Sequence, residues 1–395
     1  MKKKSKKKLR IAHLHWGFPP IIGGVETHLT ILLPMLVKMG HDVSLLTCVA
    51  EGAKVVDNYK GVKIKRVPIM DLNWLYKRGT NGLEQEIKNV FGNFIEKSKA
   101  DIIHVHNMHY FSKVHIQTLQ DITIKKGIPL ILTAHNVWDD NLFLDLIKNI
   151  RWTQIIAVSH FIKREIIGIG CEHRKIAVVH HGVDHRTYSP KTKPDSAIKK
   201  YPILRNKRVI FHPARMGLAK GCDVSIKALN VVKKRFPDVV LVLAGTKNIV
   251  DWGEHQQKDI AYMVNLVNCL KLNNNVLIDS YKLEDMPKLY AASKVCMYPS
   301  TGCEPFGLTM LESLSSGKPI VVTRTGGMPE IIEDGINGFI VPVKDFEALA
   351  SRIIQLLAND DLRERLGFTG REMVEQQYTK EIMTNNTLNI YRRFC

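Results

Sequence analysis

The chain has 395 residues, 45% of them apolar and 24% charged, the balance of a globular protein long enough for two or three domains. It has no apolar run of membrane-spanning length and no apolar stretch with a cleavage site behind its basic start, so a cytoplasmic protein is expected. The formal net charge is +19, of which residues 2–10, with six lysines and one arginine, supply +7; no nucleic-acid motif accompanies that charge, and no nucleic-acid partner is expected. The basic tail, drawn at residues 1–9, has two readings: a solvated end, or an arm making peripheral contact with an anionic membrane on its inner face. The seven cysteines form no CxxC pair and are odd in number, which fits free thiols and gives no zinc-site spacing.

In chain order, the first predicted element is a strand over 11–15. A loop ending in Gly23-Gly24 and a helix over 25–38 follow. Gly40-His41 breaks the chain before a strand over 43–47. Strands at 102–106, 130–134, 155–158 and 175–179 come next, separated by helix-length segments. Short apolar strands alternating with helices argue for a parallel sheet covered on both faces. From about 184 to 206, Pro190, Pro194 and Pro202 fall among lysines and polar residues, the composition of a linker. The alternation then restarts, with strands at 208–211, 239–244, 276–278, 295–298, 320–323 and 339–341, and 345–391 reads as helical throughout. The expected class is α/β, with two doubly wound parallel-sheet domains at 1–188 and 207–380. A linker at 189–206 joins them, and a helix at 381–395 packs back on the N-terminal domain. Ligand is expected at the carboxyl ends of the strands, in the cleft between the domains.

The most informative stretch is 299–312, which follows a strand and opens a helix. Glu304 lies in its loop, Pro305 suits a first helical position, and Glu312 falls about two turns further on. Backbone N–H groups at Gly307, Leu308 and Thr309 are placed to face an anion at the positive end of the helix dipole. A carboxylate on each side of an anion site suits a ligand with phosphates in the middle and hydroxyls at both ends, which describes a nucleotide sugar. A capped helix carrying two surface acids is the plainer reading.

Glu304 and Glu312, with seven residues between them, resemble the paired-glutamate motif of the retaining glycosyltransferase family 4, whose fold is GT-B. Further resemblances follow in order along the chain: Gly23-Gly24-Val25-Glu26, the strand at 101–106, Leu132-Thr133-Ala134-His135-Asn136, Gly182-Val183-Asp184, Arg215 with Lys220-Gly221, and Thr325-Gly326-Gly327-Met328-Pro329-Glu330. His181 departs from the pattern, which usually has Asn there, and touches only the local turn. The resemblance implies a hexosyltransferase moving a hexosyl or N-acetylhexosaminyl group from an NDP-sugar, UDP-linked by preference. It implies an acceptor hydroxyl on a glycan, lipid or small molecule, held by the N-terminal domain, and a nucleotide sugar held by the C-terminal one. His135, Arg215, Lys220 and Glu304 are the implied catalytic residues. Gly23, Gly24, Phe306, Gly307, Leu308, Thr309 and Glu312 are the implied donor-binding ones.

Each residue also has its own chemistry. Arg215 and Lys220 follow a strand end, where fixed cations can stabilise a leaving diphosphate as it gains charge. Glycines 23 and 24 allow close approach of a phosphate to the backbone; alone they are also a common turn. There is no GxGxxG and no P-loop sequence. His135 ends a buried-type strand, where a structural histidine is equally common. His104, His106 and His109, followed by His115, have metal-like spacing. No Asp-x-Asp accompanies them, so no metal and no other cofactor is expected. Under the resemblance, the acceptor attacks from the face the diphosphate leaves, and the departing phosphate oxygen takes its proton. Glu304 then holds the sugar's 3- or 4-hydroxyl and Glu312 the ribose hydroxyls. The alternatives are a glycosidase, a nucleotide-sugar epimerase and a non-catalytic sugar-nucleotide-binding protein. Residues 50–80 and 107–115 border the expected acceptor site.

Overall fold

The computed structural model describes residues 7–108, 111–245 and 253–395. The chain divides into two units, residues 1–181 with 380–395, and residues 182–379.

In the first unit the elements run β1 (Arg10–Leu14), α1 (Gly24–Lys38), β2 (Asp42–Thr47), β3 (Val56–Tyr59), β4 (Val62–Arg66), α2 (Leu72–Arg78), α3 (Glu84–Ser98), β5 (Ile102–His106), α4 (Lys113–Lys126), β6 (Leu130–Ala134), α5 (Asn141–Asn149), β7 (Gln154–Ala157), α6 (His160–Gly168) and β8 (Ile176–Val178). Among the described residues these strands form one eight-stranded sheet in the order β3-β4-β2-β1-β5-β6-β7-β8. Only the β3–β4 pair is antiparallel. The central strands β5 and β6 are buried at every position, as a sheet covered on both faces requires. Helix α1 buries Leu29, Leu32, Leu33 and Leu36, the i, i+3, i+4, i+7 spacing of one helix face. The order reverses between β1 and β5, so the loops leaving those strands splay apart at a topological switch point.

In the second unit the elements are α7 (Asp195–Lys200), β9 (Arg208–His212), α8 (Cys222–Arg235), β10 (Val239–Gly245), α9 (Gly253–Cys269), β11 (Val276–Ser280), α10 (Met286–Ala292), β12 (Val295–Tyr298), α11 (Leu308–Ser315), β13 (Ile320–Thr323), β14 (Gly338–Val341), α12 (Phe346–Ala358) and α13 (Asp360–Gln377). The sheet is wholly parallel, in the order β11-β10-β9-β12-β13-β14. Its switch point lies between β9 and β12. The last helix, α14 (Lys380–Tyr391), returns to the first unit, where Met383, Leu388, Ile390 and Tyr391 join the core with Leu9, Ile11, Leu29 and Leu32.

Three features differ from the sequence reading. Residues 182–206 group with the second unit and carry α7, because Ala197 and Leu204 are buried there. The helical stretch over 345–391 is three helices: Asn359 caps α13 by accepting from the Leu362 N–H, and residues 378–379 separate α13 from α14. The tail is shorter than drawn, since Leu9 is buried and Arg10 opens β1, bonded to Asp101. Residues 1–6 lie outside the described part. Among the described residues no helix is long and apolar enough to cross a membrane.

Candidate active site

Three loops of the second unit, those after β9, β12 and β13, are tied together at the carboxyl edge of the sheet. Thr301 and Gly302 both donate their N–H groups to the Ala219 carbonyl at 3.1 Å. The Thr323 hydroxyl donates to the Ser300 carbonyl at 2.6 Å, and the Gly327 N–H to that of Glu304 at 2.8 Å. Two glycines permit this closeness. A Cβ on Gly221 would stand 1.8 Å from the Pro299 carbonyl oxygen, and one on Gly326 2.0 Å from that of Glu304. Both residues have the positive φ, +74° and +56°, that favours glycine.

These loops deliver Glu304 and Lys220 to one place. Glu304 is buried, and its Oε2 accepts from Lys220 Nζ at 2.8 Å and from the Tyr298 hydroxyl. Burial pushes the Glu304 carboxyl up. Lys220's charge, the two hydrogen bonds and the charge of Arg215 outweigh it and hold the group below the ordinary range. Desolvation also opposes the Lys220 charge, but Tyr298 and Glu304 more than restore it. The pair is therefore ionised at neutral pH, and Arg215, exposed on the loop after β9, adds to the same field.

Helix α11 starts three residues later than the sequence reading placed it. Gly307 is its N-cap at φ +90° with no side-chain cap, which leaves Pro305 and Phe306 in the loop. A left-handed residue cannot continue a right-handed turn, so the helix restarts at Leu308. Its uncapped first turn presents N–H groups at the positive end of the dipole, next to the Glu304 loop. The Phe306 side chain is buried near Tyr378, ring centroids 6.2 Å apart, and is occupied by packing.

Glu312 lies in the second turn of α11, buried. Its Oε2 accepts from the Tyr290 hydroxyl at 2.8 Å, and the Tyr188 hydroxyl bonds it as well. Burial still raises its carboxyl to about 7 against those two hydrogen bonds. Tyr188 is itself anchored: Arg371 Nη1 donates to the carbonyls of Tyr188 and His185 at 2.8 Å and of Ser315 at 2.6 Å. One glutamate is thus fixed as an anion, while its companion titrates near neutrality.

In the first unit, Gly23 caps α1 and Gly24 begins it. The close approach at Gly23 belongs to Glu26, since a Cβ there would lie 2.3 Å from Glu26 Oε2. Glu26 folds back over its own helix start, as an acid at this position does, and its Oε1 meets His15 Nε2 at 2.9 Å. The carboxylate thus occupies the space beside Gly23, while the space beside Gly24 is open. His135 follows β6, buried, with its backbone N–H on Asn107 Oδ1 at 2.9 Å and its Nε2 3.0 Å from His106 Nδ1. His106 Nε2 is 3.1 Å from His13 Nδ1, and His28 Nδ1 is 2.9 Å from His181 Nδ1. Burial, then mutual proximity, holds His28, His106 and His135 far below the ordinary imidazole value, so these rings are neutral. His104 spends both nitrogens, on the Tyr391 hydroxyl at 2.6 Å and Thr133 Oγ1 at 2.7 Å. His115 bonds Ser112 and the Ile69 carbonyl, and His109 lies outside the described residues.

Sequence reasoning missed Tyr298, Tyr290 and Tyr188, the hydroxyl partners of the two glutamates. Tyr298 was within reach of it, as the last strand residue before Pro299. His13, His15 and His28 come together only through the sheet register and packing.

Two family models match the chain: Glycosyltransferase Family 4 over residues 22–187 and Glycosyl transferases group 1 over residues 195–373. An uncharacterised glycosyltransferase of Methanocaldococcus jannaschii is 25% identical over 97% of this chain and 98% of its own length. A glycosyltransferase crystal structure from Rickettsia africae superposes with a TM-score of 0.83 at 22% identity, covering 98% of this chain and 99% of that one. Anabaena HepE, solved in complex with UDP and glucose, gives 0.79 at 19% identity over 97% and 99% of the two chains. These likenesses show the GT-B fold.

Proposed function

The chain belongs to the group 1, or family 4, glycosyltransferases, and from that premise we propose that it is a retaining enzyme using a nucleoside-diphosphate sugar. The donor is UDP-linked by preference, the group moved is a hexosyl or N-acetylhexosaminyl, and the acceptor is a hydroxyl on a glycan, lipid or small molecule. The observation that carries this reading is the group in which half-buried Lys220 and buried Tyr298 meet the buried Glu304 carboxylate, beside the uncapped start of α11. The UDP and glucose in the Anabaena structure support the choice of nucleobase.

In this reading the diphosphate lies against Arg215, Lys220 and the N–H groups of Gly307, Leu308 and Thr309, with Phe306 contributing through its backbone. Glu304 holds sugar hydroxyls, and Glu312 the ribose. In the first unit, His135, Gly23 and Gly24 are the residues that meet substrate. As the anomeric C–O bond breaks, negative charge grows on the leaving phosphate, and preoriented cations and amide dipoles stabilise that charge more than the bound ground state. The acceptor hydroxyl attacks from the same face and its proton passes to the departing phosphate oxygen, which calls for no protein nucleophile. The cationic groups serve the diphosphate without a metal, and the basic tail keeps its two readings, a solvated end or an arm at an anionic membrane surface.

The test is a panel of UDP- and GDP-sugars read by thermal shift. A true donor at a hundredfold excess over its Kd adds about 2.7 kcal/mol. A flat response to every nucleotide sugar at millimolar concentration would sink the proposal.

A further inference from the structure

Four imidazoles from four elements of the first unit face one another: His28 on α1, His106 at the end of β5, His135 just past β6, and His181 past β8. Ring centroids lie 4.4 Å apart for His28–His181, 5.1 Å for His28–His135, 5.2 Å for His135–His181, 5.3 Å for His106–His135 and 5.9 Å for His28–His106. A tetrahedral ion with metal–nitrogen bonds of about 2.0–2.1 Å puts its imidazole centroids about 3.2 Å from the ion and about 5.2 Å from one another. The observed separations bracket that value. One nitrogen from each of His28, His106 and His135 lies within 4.8 Å of the others. We propose that these three residues, with His181 as the fourth ligand, form a binding site for a borderline divalent cation, Zn²⁺ in the first place.

Two further observations support this. His106 Nε2 stands 3.1 Å from His13 Nδ1; in the tautomer that donates from Nε2 to His13, the His106 Nδ1 lone pair faces the cluster, the support a metal-binding histidine needs. The chain His13–His106–His135 also does not close by itself. Three neutral rings carry three protons for two internal hydrogen bonds, so one N–H and one lone pair are left over at the ends. The end atoms, His13 Nε2 and His135 Nδ1, are buried without a partner. Apolar side chains would fill this space without stranding polar atoms, so packing alone does not account for the rings.

The neighbouring trio His13, His104 and His106 also converges, but both His104 nitrogens are taken by Tyr391 and Thr133. An all-imidazole set favours Zn²⁺, Cu²⁺ or Ni²⁺ over Mg²⁺ or Ca²⁺. His28, His135 and His181 retain 6%, 6% and 7% exposure against none for His106, so the ion enters from their side. A bound ion takes up His135 and so inhibits transfer. That consequence rests on the role proposed for His135; the binding itself does not.

The experiment titrates untagged, chelator-stripped full-length protein with Co²⁺, read by visible absorbance, and then displaces it with Zn²⁺. One Co²⁺ per chain with the strong absorbance of tetrahedral coordination is expected. His28→Gln and His181→Asn should each weaken binding by about tenfold or more, while His173→Ala, at an exposed position, leaves it unchanged. Thermal melts establish that the variants are folded, and where His28→Gln fails to fold, His181→Asn decides. Absence of saturable binding, weak octahedral absorbance, equal affinity in the folded variants, or loss of binding in His173→Ala overturns the proposal. Because the readout is binding, its failure is distinct from failure of the transferase reading.

Discussion

Replacing Gly326 with alanine separates the positioning of Glu304 from its chemistry, because Gly326 reaches Glu304 only through the backbone. The new Cβ would lie 2.0 Å from the Glu304 carbonyl oxygen and 2.8 Å from its carbonyl carbon and nitrogen, where ordinary contact begins near 3.4 Å. Relief therefore takes a movement of more than about 1 Å. The neighbouring Gly327 N–H grips the same carbonyl at 2.8 Å, so the loop bearing Glu304 moves with it. The left-handed backbone costs alanine a further 1–2 kcal/mol or so, which for a unit of this size lowers the melting temperature by roughly 2–8 °C. A misplacement of about 1 Å at a catalytic group costs about a hundredfold in rate. The expected result is a folded Gly326→Ala protein with kcat down about a hundredfold and a smaller change in donor KM, read by initial rates on a confirmed donor. Parental turnover in that folded variant would refute the claim that this glycine sets the position of Glu304.

Glu304→Gln keeps the fold and lowers kcat by about tenfold or more, since hydrogen bonds to the sugar strengthen in the transition state; unchanged steady-state turnover removes Glu304 from the site. Glu312 titrates at about 7 in the fold against an ordinary 4.5, so the native state holds its proton where the unfolded chain has released it. Its contribution to stability is therefore complete below about pH 4.5 and is lost as pH rises through 7, a difference of about 3 kcal/mol. Glu312→Gln should flatten the decline between pH 5 and 8 in denaturant melts, and parallel profiles for the two proteins would contradict this. Transfer should survive EDTA, with rates compared before and after chelation; a loss that manganese restores would show a metal at the diphosphate. Deleting residues 2–8 should reduce co-sedimentation with anionic vesicles and leave turnover on a soluble acceptor analogue unchanged. The Lys8–Asp42 pair lost with them is exposed and contributes little, and equal sedimentation makes the tail a solvated end.

Most strands of both sheets were legible because parallel strands buried on both faces read as mainly apolar runs, as in Leu130–Ala134 and Ile320–Thr323. The β3–β4 hairpin was not, because Val56, Asp57 and Asn58 are exposed at the sheet edge and β4 alternates with lysines. Glu304 and Glu312 could be found through their spacing along one segment. Their tyrosine partners could not, since Tyr188 and Tyr290 reach Glu312 from other parts of the chain. The start of α11 was misplaced because Pro305 signals a first turn, while the left-handed Gly307 sets the true one. The histidines of the first unit are scattered from residue 13 to 181, and only the register of β1 and β5, with the packing of α1 and of the segments after β6 and β8, brings them together.

The return of α14 to the first unit has a consequence for biosynthesis. Residues 1–181 are made before the second unit, but Met383, Leu388, Ile390 and Tyr391, which complete their core, are made after it. At about 5–20 residues per second, the 198 residues of the second unit (182–379) take roughly 10–40 s to translate. Throughout that interval the nascent first unit exposes an apolar groove, and His104 lacks the Tyr391 hydroxyl that its Nδ1 meets in the finished fold. The second unit is contiguous and can close at once. The N-terminal half of the polypeptide is thus the later to mature, and it is the half a chaperone would be expected to hold.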